Sequence, residues 1–108
     1  MNAPRLNRAL LLETPARVAD GAGGFAESWT VLGQVWAEVS LRSGRESGGF
    51  STARFRIVLR GAPQGSTMRP RPDQRFRDGE RVFRIEAVSE RDAEGRYLTC
   101  YANEEVVA

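Results

Sequence analysis

Between Ala53 and Arg60 apolar and charged residues alternate almost one for one. Ala53, Phe55, Ile57 and Leu59 share one parity; Arg54, Arg56, Val58 and Arg60 share the other. Successive side chains of a strand point to opposite faces, so this period of two demands an extended chain with one dry face and one wet one. The same period recurs elsewhere. Leu10 and Leu12 carry it in Asn7–Thr14, with Leu6 just upstream. Val35, Ala37, Val39 and Leu41 carry it in Gln34–Leu41, with Trp36 and Glu38 on the opposite face. Phe83, Ile85 and Ala87 do so in Glu80–Ser89, and Leu98, Cys100 and Ala102 in Arg96–Asn103. Phe25–Leu32 and Gln74–Arg77 read as two further short strands.

Glycine and proline punctuate these segments. Pro15 marks the end of the first strand, and Asp20-Gly-Ala-Gly-Gly24 is a turn, because glycine accepts the positive φ that turns require. Arg42–Gly49 is polar and rich in Gly and Ser and reads as an exposed loop. A stable helix in Arg42–Ser51 is disfavoured by that composition. Gly61–Pro72 holds Pro63, Pro70 and Pro72 and reads as an irregular connection. Asp78-Gly79 signals a two-residue hairpin, and Glu90–Gly95 a second turn. The expected fold is all-β: a small antiparallel β-barrel of about six or seven short strands with long loops. The length, 108 residues, fits one domain over 1–108. Its core spans about 5–103, with a loose tail over 104–108.

The inventory removes whole classes of chemistry. There is no histidine, the commonest general base and metal ligand, and only one cysteine, Cys100. No nucleophile–base pair, metal site or cofactor motif can be assembled, so the expectation is a chain that is not an enzyme. A single cysteine allows no intrachain disulfide. The run Leu10-Leu11-Leu12 falls far short of the ~20 apolar residues of a membrane helix. The chain therefore reads as one made and used in the cytoplasm.

All sixteen basic residues are arginine, yet the net charge is only +2. GC-rich codon usage explains the total but not the clustering. Arg54, Arg56 and Arg60 form a row on one strand face that suits a phosphate backbone, an adjoining subunit or plain solvent. Arg69, Arg71, Arg75 and Arg77, stiffened by Pro70 and Pro72, form a second basic stretch, read as a docking arm or an ordinary loop. Trp36 is the favoured contact residue, since tryptophan concentrates at interface hot spots. Trp29 reads as packing, and Cys100 as a small buried hydrophobe.

The ordered set of short motifs resembles a known family. Leu6-Asn-Arg8, Pro15, Asp20-Gly with Gly23-Gly-Phe25, Glu27-Ser-Trp29, Val35-Trp-Ala-Glu-Val39 and Ser43-Gly-Arg-Glu46 follow one another at the family's spacings. The segment Asp78-Gly-Glu-Arg-Val-Phe-Arg-Ile-Glu-Ala-Val88 is similar to its second hairpin. Over about residues 5 to 102 the chain resembles the head–tail adaptor, or head-closure (stopper), proteins of tailed bacteriophages. The resemblance implies a β-barrel subunit in the neck of a virion, assembled in the bacterial cytoplasm. It implies a homo-oligomeric ring, six- or twelve-fold, with the portal and adaptor ring above and tail terminator or tail proteins below. Packaged double-stranded DNA would occupy the channel, with no membrane involved. A gene transfer agent is one possible parent particle. A loop that projects into the channel is a further implication. The candidates are Asp20–Gly24 and, preferred for its length, Arg42, Ser43, Gly44, Arg45, Glu46, Ser47, Gly48 and Gly49. Two other readings stay open: an OB-like nucleic-acid-binding barrel, and another neck or tail-tube component of the same particle.

Overall fold

The computed structural model describes residues 3–47 and 50–105, with the backbone alone over 43–47 and 50–52. Six strands and no helix are present among the described residues: β1 (Arg8–Ala19), β2 (Phe25–Ser47), β3 (Phe50–Arg60), β4 (Arg75–Asp78), β5 (Arg81–Glu90) and β6 (Tyr97–Glu105). They pair antiparallel in the order β1-β2-β3-β6-β5-β4 and close into a barrel. Closure is brief: Leu11–Glu13 of β1 meet Arg75–Arg77 of β4.

The inward residues of the alternating pattern fill the barrel. Leu10, Leu12, Ala37, Ile57, Leu59, Phe76, Phe83, Ile85, Leu98, Cys100 and Ala102 form one buried cluster. Phe55 meets Phe83 edge to face at 5.1 Å, a favoured geometry for aromatic pairs. Each fully buried Phe or Leu contributes roughly 1.5–3 kcal/mol, so a barrel this narrow holds together without a metal or disulfide.

Several elements differ from the sequence expectation. The two strands expected over Phe25–Leu32 and Gln34–Leu41 are one strand of 23 residues. Gly33 does not break it. The register jumps from Leu12↔Gly33 to Glu13↔Val31, leaving Leu32 as the extra residue of a bulge. β1 continues through Pro15 to Ala19, because β4 pairing stops at Glu13 and the missing proline N–H faces no partner there. The hairpin after β4 turns on Gly79-Glu80, one residue later than expected, with Asp78 already paired to Arg81 and Gly79 at φ +62°. A register shift between Ile85 and Ala87 flips parity in β5. Ala87 consequently faces solvent and Val88 packs on the core instead.

The tail expected to be loose over 104–108 is partly tied down. Glu104 and Glu105 lie in β6, with Arg81 on Glu104 at 2.7 Å and Arg84 on Glu105 at 3.7 Å. Residues 106–108 lie outside the described residues.

Two hairpins run past the barrel wall. In the β1–β2 arm, Pro15–Ala19 pair with Trp29–Phe25. Its tip is fastened by Asp20, whose Oδ1 accepts from the Ala22 and Gly24 N–H groups at 2.8 and 3.1 Å. In the β2–β3 arm, Ser43–Ser47 pair with Arg54–Phe50, and β6 cover ends at Ala53↔Glu104. These arms stretch the molecule to 53 × 37 × 21 Å and a radius of gyration of 15.1 Å. A compact chain of this length has about 13 Å.

Candidate interaction surfaces

The outer wall divides into two electrostatic halves. Around the β1–β4 seam and on β5 the arginines other than Arg17 are neutralised within the chain. Glu13, 3% exposed, lies between Arg75 and Arg77, which donate from Nε at 2.7 and 2.9 Å. Arg75 also stacks on the Trp29 ring at 4.1 Å, with Arg84 at 5.9 Å on the same ring. Arg8 pairs with Asp78, and Arg81 makes a two-pronged contact with Glu104 at 2.7 and 3.1 Å. That contact pushes the Arg81 guanidinium above its ordinary range, chiefly through the hydrogen bond to Glu104.

The other half, on β2 and β3, carries arginines that form no ion pair among the described residues. Arg54, Arg56 and Arg60 are exposed. Arg54 and Arg56 sit roughly 7 Å apart along β3. Arg42 lies over the Tyr101 ring at 4.8 Å. Trp36 is 57% exposed on the outer face of β2, opposite in parity to Ala37 in the core. Arg56 borders a shallow cleft of about 290 Å³ whose lining includes the carboxylates of Glu38 and Glu90 as well as Arg91, Thr99 and Tyr101. Arg91 Nη1 is buried there with no hydrogen-bond partner. The N-terminal segment borders this face through the Arg5 N–H, which donates to Glu38 Oε2 at 2.8 Å.

The remaining candidates divide differently. Arg42–Gly49 is not an irregular loop. Arg42–Ser47 continue β2, and Ser43, Gly44, Arg45, Glu46 and Ser47 are in register with Arg54, Ala53, Thr52, Ser51 and Phe50. Backbone pairing supplies there the order that the Gly/Ser composition argues against, and a register shift at Arg42 absorbs the change of direction. Gly48 and Gly49 lie outside the described residues. The basic stretch Arg69–Arg77 is not an arm either. Arg75 and Arg77 belong to β4, Pro70 is fully buried, and Arg69 Nη1 donates to the Ala62 carbonyl at 2.9 Å. Of that set only Arg71 is exposed.

Sequence reasoning missed Glu13, Arg84 and Arg91. Glu13 had a signal: a carboxylate directly following Leu10-Leu11-Leu12 invites a search for an arginine partner. Arg91 had none, since it lies in the turn between β5 and β6 and only its Nη1 is buried. No cluster of three or more His, Cys, Asp or Glu fit for a metal occurs among the described residues. No helix there is long and apolar enough to cross a membrane. Among the described residues the large aromatics that are well exposed, Phe25 and Trp36, lie about 35 Å apart along β2, a separation that does not suit one stacking platform.

Residues 1–105 match the family described as phage head completion protein. The chain belongs to that family. Phage head completion proteins are structural parts of the virion and not enzymes, in keeping with an inventory that lacks histidine. The chain is also similar to one in the solved structure described as "Virion of native gene transfer agent (GTA) particle". It shares 57% identity with that chain over 98% of its own length and 100% of the other's, with a TM-score of 0.85. No curated protein matches.

Proposed function

We propose that this head completion protein is a neck subunit of a tailed phage or gene transfer agent, forming a ring that joins the DNA-filled head to the tail. The portal and its adaptor ring lie above it and tail proteins below. One observation carries the reading: full-length likeness, at 57% identity, to a chain of a gene transfer agent virion. The shape supports it. A rigid barrel suits a ring position, and two projecting hairpins suit contacts with neighbours above, below and around the ring.

Closure of the DNA channel falls to the β2–β3 arm, which takes the place of the expected gating loop. A β-ribbon holds its direction better than a glycine-rich loop, so it projects a fixed distance. Deletion of the gene in the producing strain, followed by negative-stain microscopy, tests the proposal. Filled or leaking heads beside separate, complete tails are expected. Normal tailed particles would falsify the neck assignment.

A further inference from the structure

The two arms present a physical problem. A two-stranded ribbon is at best marginally stable in water, since both its edges and both its faces are wet. The β1–β2 arm aggravates this. Val18 and Phe25 on the arm are 53% and 61% exposed, and Val31, just below it on β2, is 46% exposed. Glu27, also exposed, has no ion-pair partner among the described residues, because Arg17 across the ladder stacks on Phe25 at 4.7 Å instead. The arm is therefore apolar with a free carboxylate.

The outer face of β2 and β3 is its chemical complement. Among the described residues it offers one large exposed aromatic, Trp36, and three arginines that form no ion pair, Arg54, Arg56 and Arg60; Glu38, which lines the cleft beside Arg56, accepts instead from the Arg5 N–H. Trp and Arg are the residues most enriched at binding hot spots. Phe25 and Trp36 stand about 35 Å apart on one strand, so an arm cannot fold back onto its own β3 face.

We propose that the β1–β2 arm of one copy seats on the Trp36, Arg54, Arg56 and Arg60 face of the next copy. The inference rests on the ring reading above and names the two surfaces that would build the ring. The occupant is a second copy because the complementary charge and the uncovered apolar residues sit on the same chain. A face-to-face dimer would set arginine against arginine, which repels. Unlike surfaces at separate places give a head-to-tail contact, which closes into a ring when its rotation closes.

Particles carrying both Phe25→Cys and Trp36→Cys, treated with a flexible bis-maleimide, provide the test. Cys100 does not interfere: it is fully buried, and burial pushes its thiol up to about 12. The expected result is a covalent ladder of this chain from the doubly substituted particles and none from either single variant. Arg54→Ser, Arg56→Ser and Arg60→Ser together should weaken the ladder about tenfold or more. Should the Phe25 variant fail to assemble, Val18→Cys takes its place on the same arm. Tailed particles that contain this chain yet give no ladder overturn the arm-to-face contact and leave the neck assignment standing. A ladder indifferent to the three Ser substitutions overturns the role of the arginines. Tailed particles that lack the chain altogether sink the neck assignment itself.

Discussion

Single residues decide which half of the barrel wall is inert. Glu13 is the clearest case, since one carboxylate satisfies two guanidinium groups across the β1–β4 seam that closes the barrel. Removing its charge leaves Arg75 and Arg77 facing a neutral amide at a nearly buried side chain. Breaking a fully buried pair costs ~3–5 kcal/mol. The Arg77 side chain is 36% exposed, so Glu13→Gln is expected to cost less, about 2 kcal/mol. Urea unfolding should show a lower midpoint at unchanged slope; an unaltered midpoint would mean the seam is held by packing alone. Cys100 sets a limit at alkaline pH. Its ordinary value is 9.0, and burial raises it to about 12 in the fold. The unfolded thiol therefore gives up its proton first. Stability is complete below pH 9 and declines between pH 9 and 12, by up to ~1.4 kcal/mol per unit. Cys100→Ala should flatten that decline relative to the parent; an identical alkaline slope in the two proteins would refute the cause.

Elements show where glycine matters and where it does not. At Gly61 a Cβ would run into the Gly95 carbonyl oxygen, where the chain leaving β3 crosses the turn before β6. Backbone cannot yield, so Gly61→Ala is expected to lose roughly 2–3 kcal/mol. At Gly33 the obstacle is the Met68 thioether at 2.8 Å, the flexible end of a side chain. Gly33→Ala should cost under about 1 kcal/mol. Paired thermal melts settle the ranking, and equal losses would remove the distinction. The same elements explain what could be read from the sequence. Ile57, Leu59, Leu98 and Cys100 were legible as core because one face is dry and the other wet, and strand parity records that directly. Bulges were not legible: the extra residue at Leu32 and the parity flip after Ile85 arise from closing a small barrel, a global demand that no local pattern reports. The candidate surface was half legible. Trp36 and the β3 arginines follow from parity alone. The neutralised state of Arg75 and Arg77 required Glu13, distant in sequence, to arrive beside them.

At the scale of the whole molecule, a dry closed hub carries two wet ribbons. Amide exchange should separate them. In the isolated chain, protection is expected to be strong in β3 over Phe55–Leu59 and in β6 over Leu98–Ala102, and weak in Ala16–Ala19 and Phe25–Ser28. In assembled particles the ribbon amides should slow by an order of magnitude or more, while uniformly slow exchange in the isolated chain would remove the need for a covering neighbour. One strand belongs to every part of this design. β2 begins at the tip of one arm, forms a stave of the barrel and ends in the other arm, 23 residues without a helix or loop to interrupt it. It works as a tie-rod. A pull on Phe25 travels to Ser47 along a single extended backbone, whose slack is confined to the bulges at Leu32 and Arg42. Whatever grips one arm therefore loads the other, and the two ends of the subunit are mechanically one part.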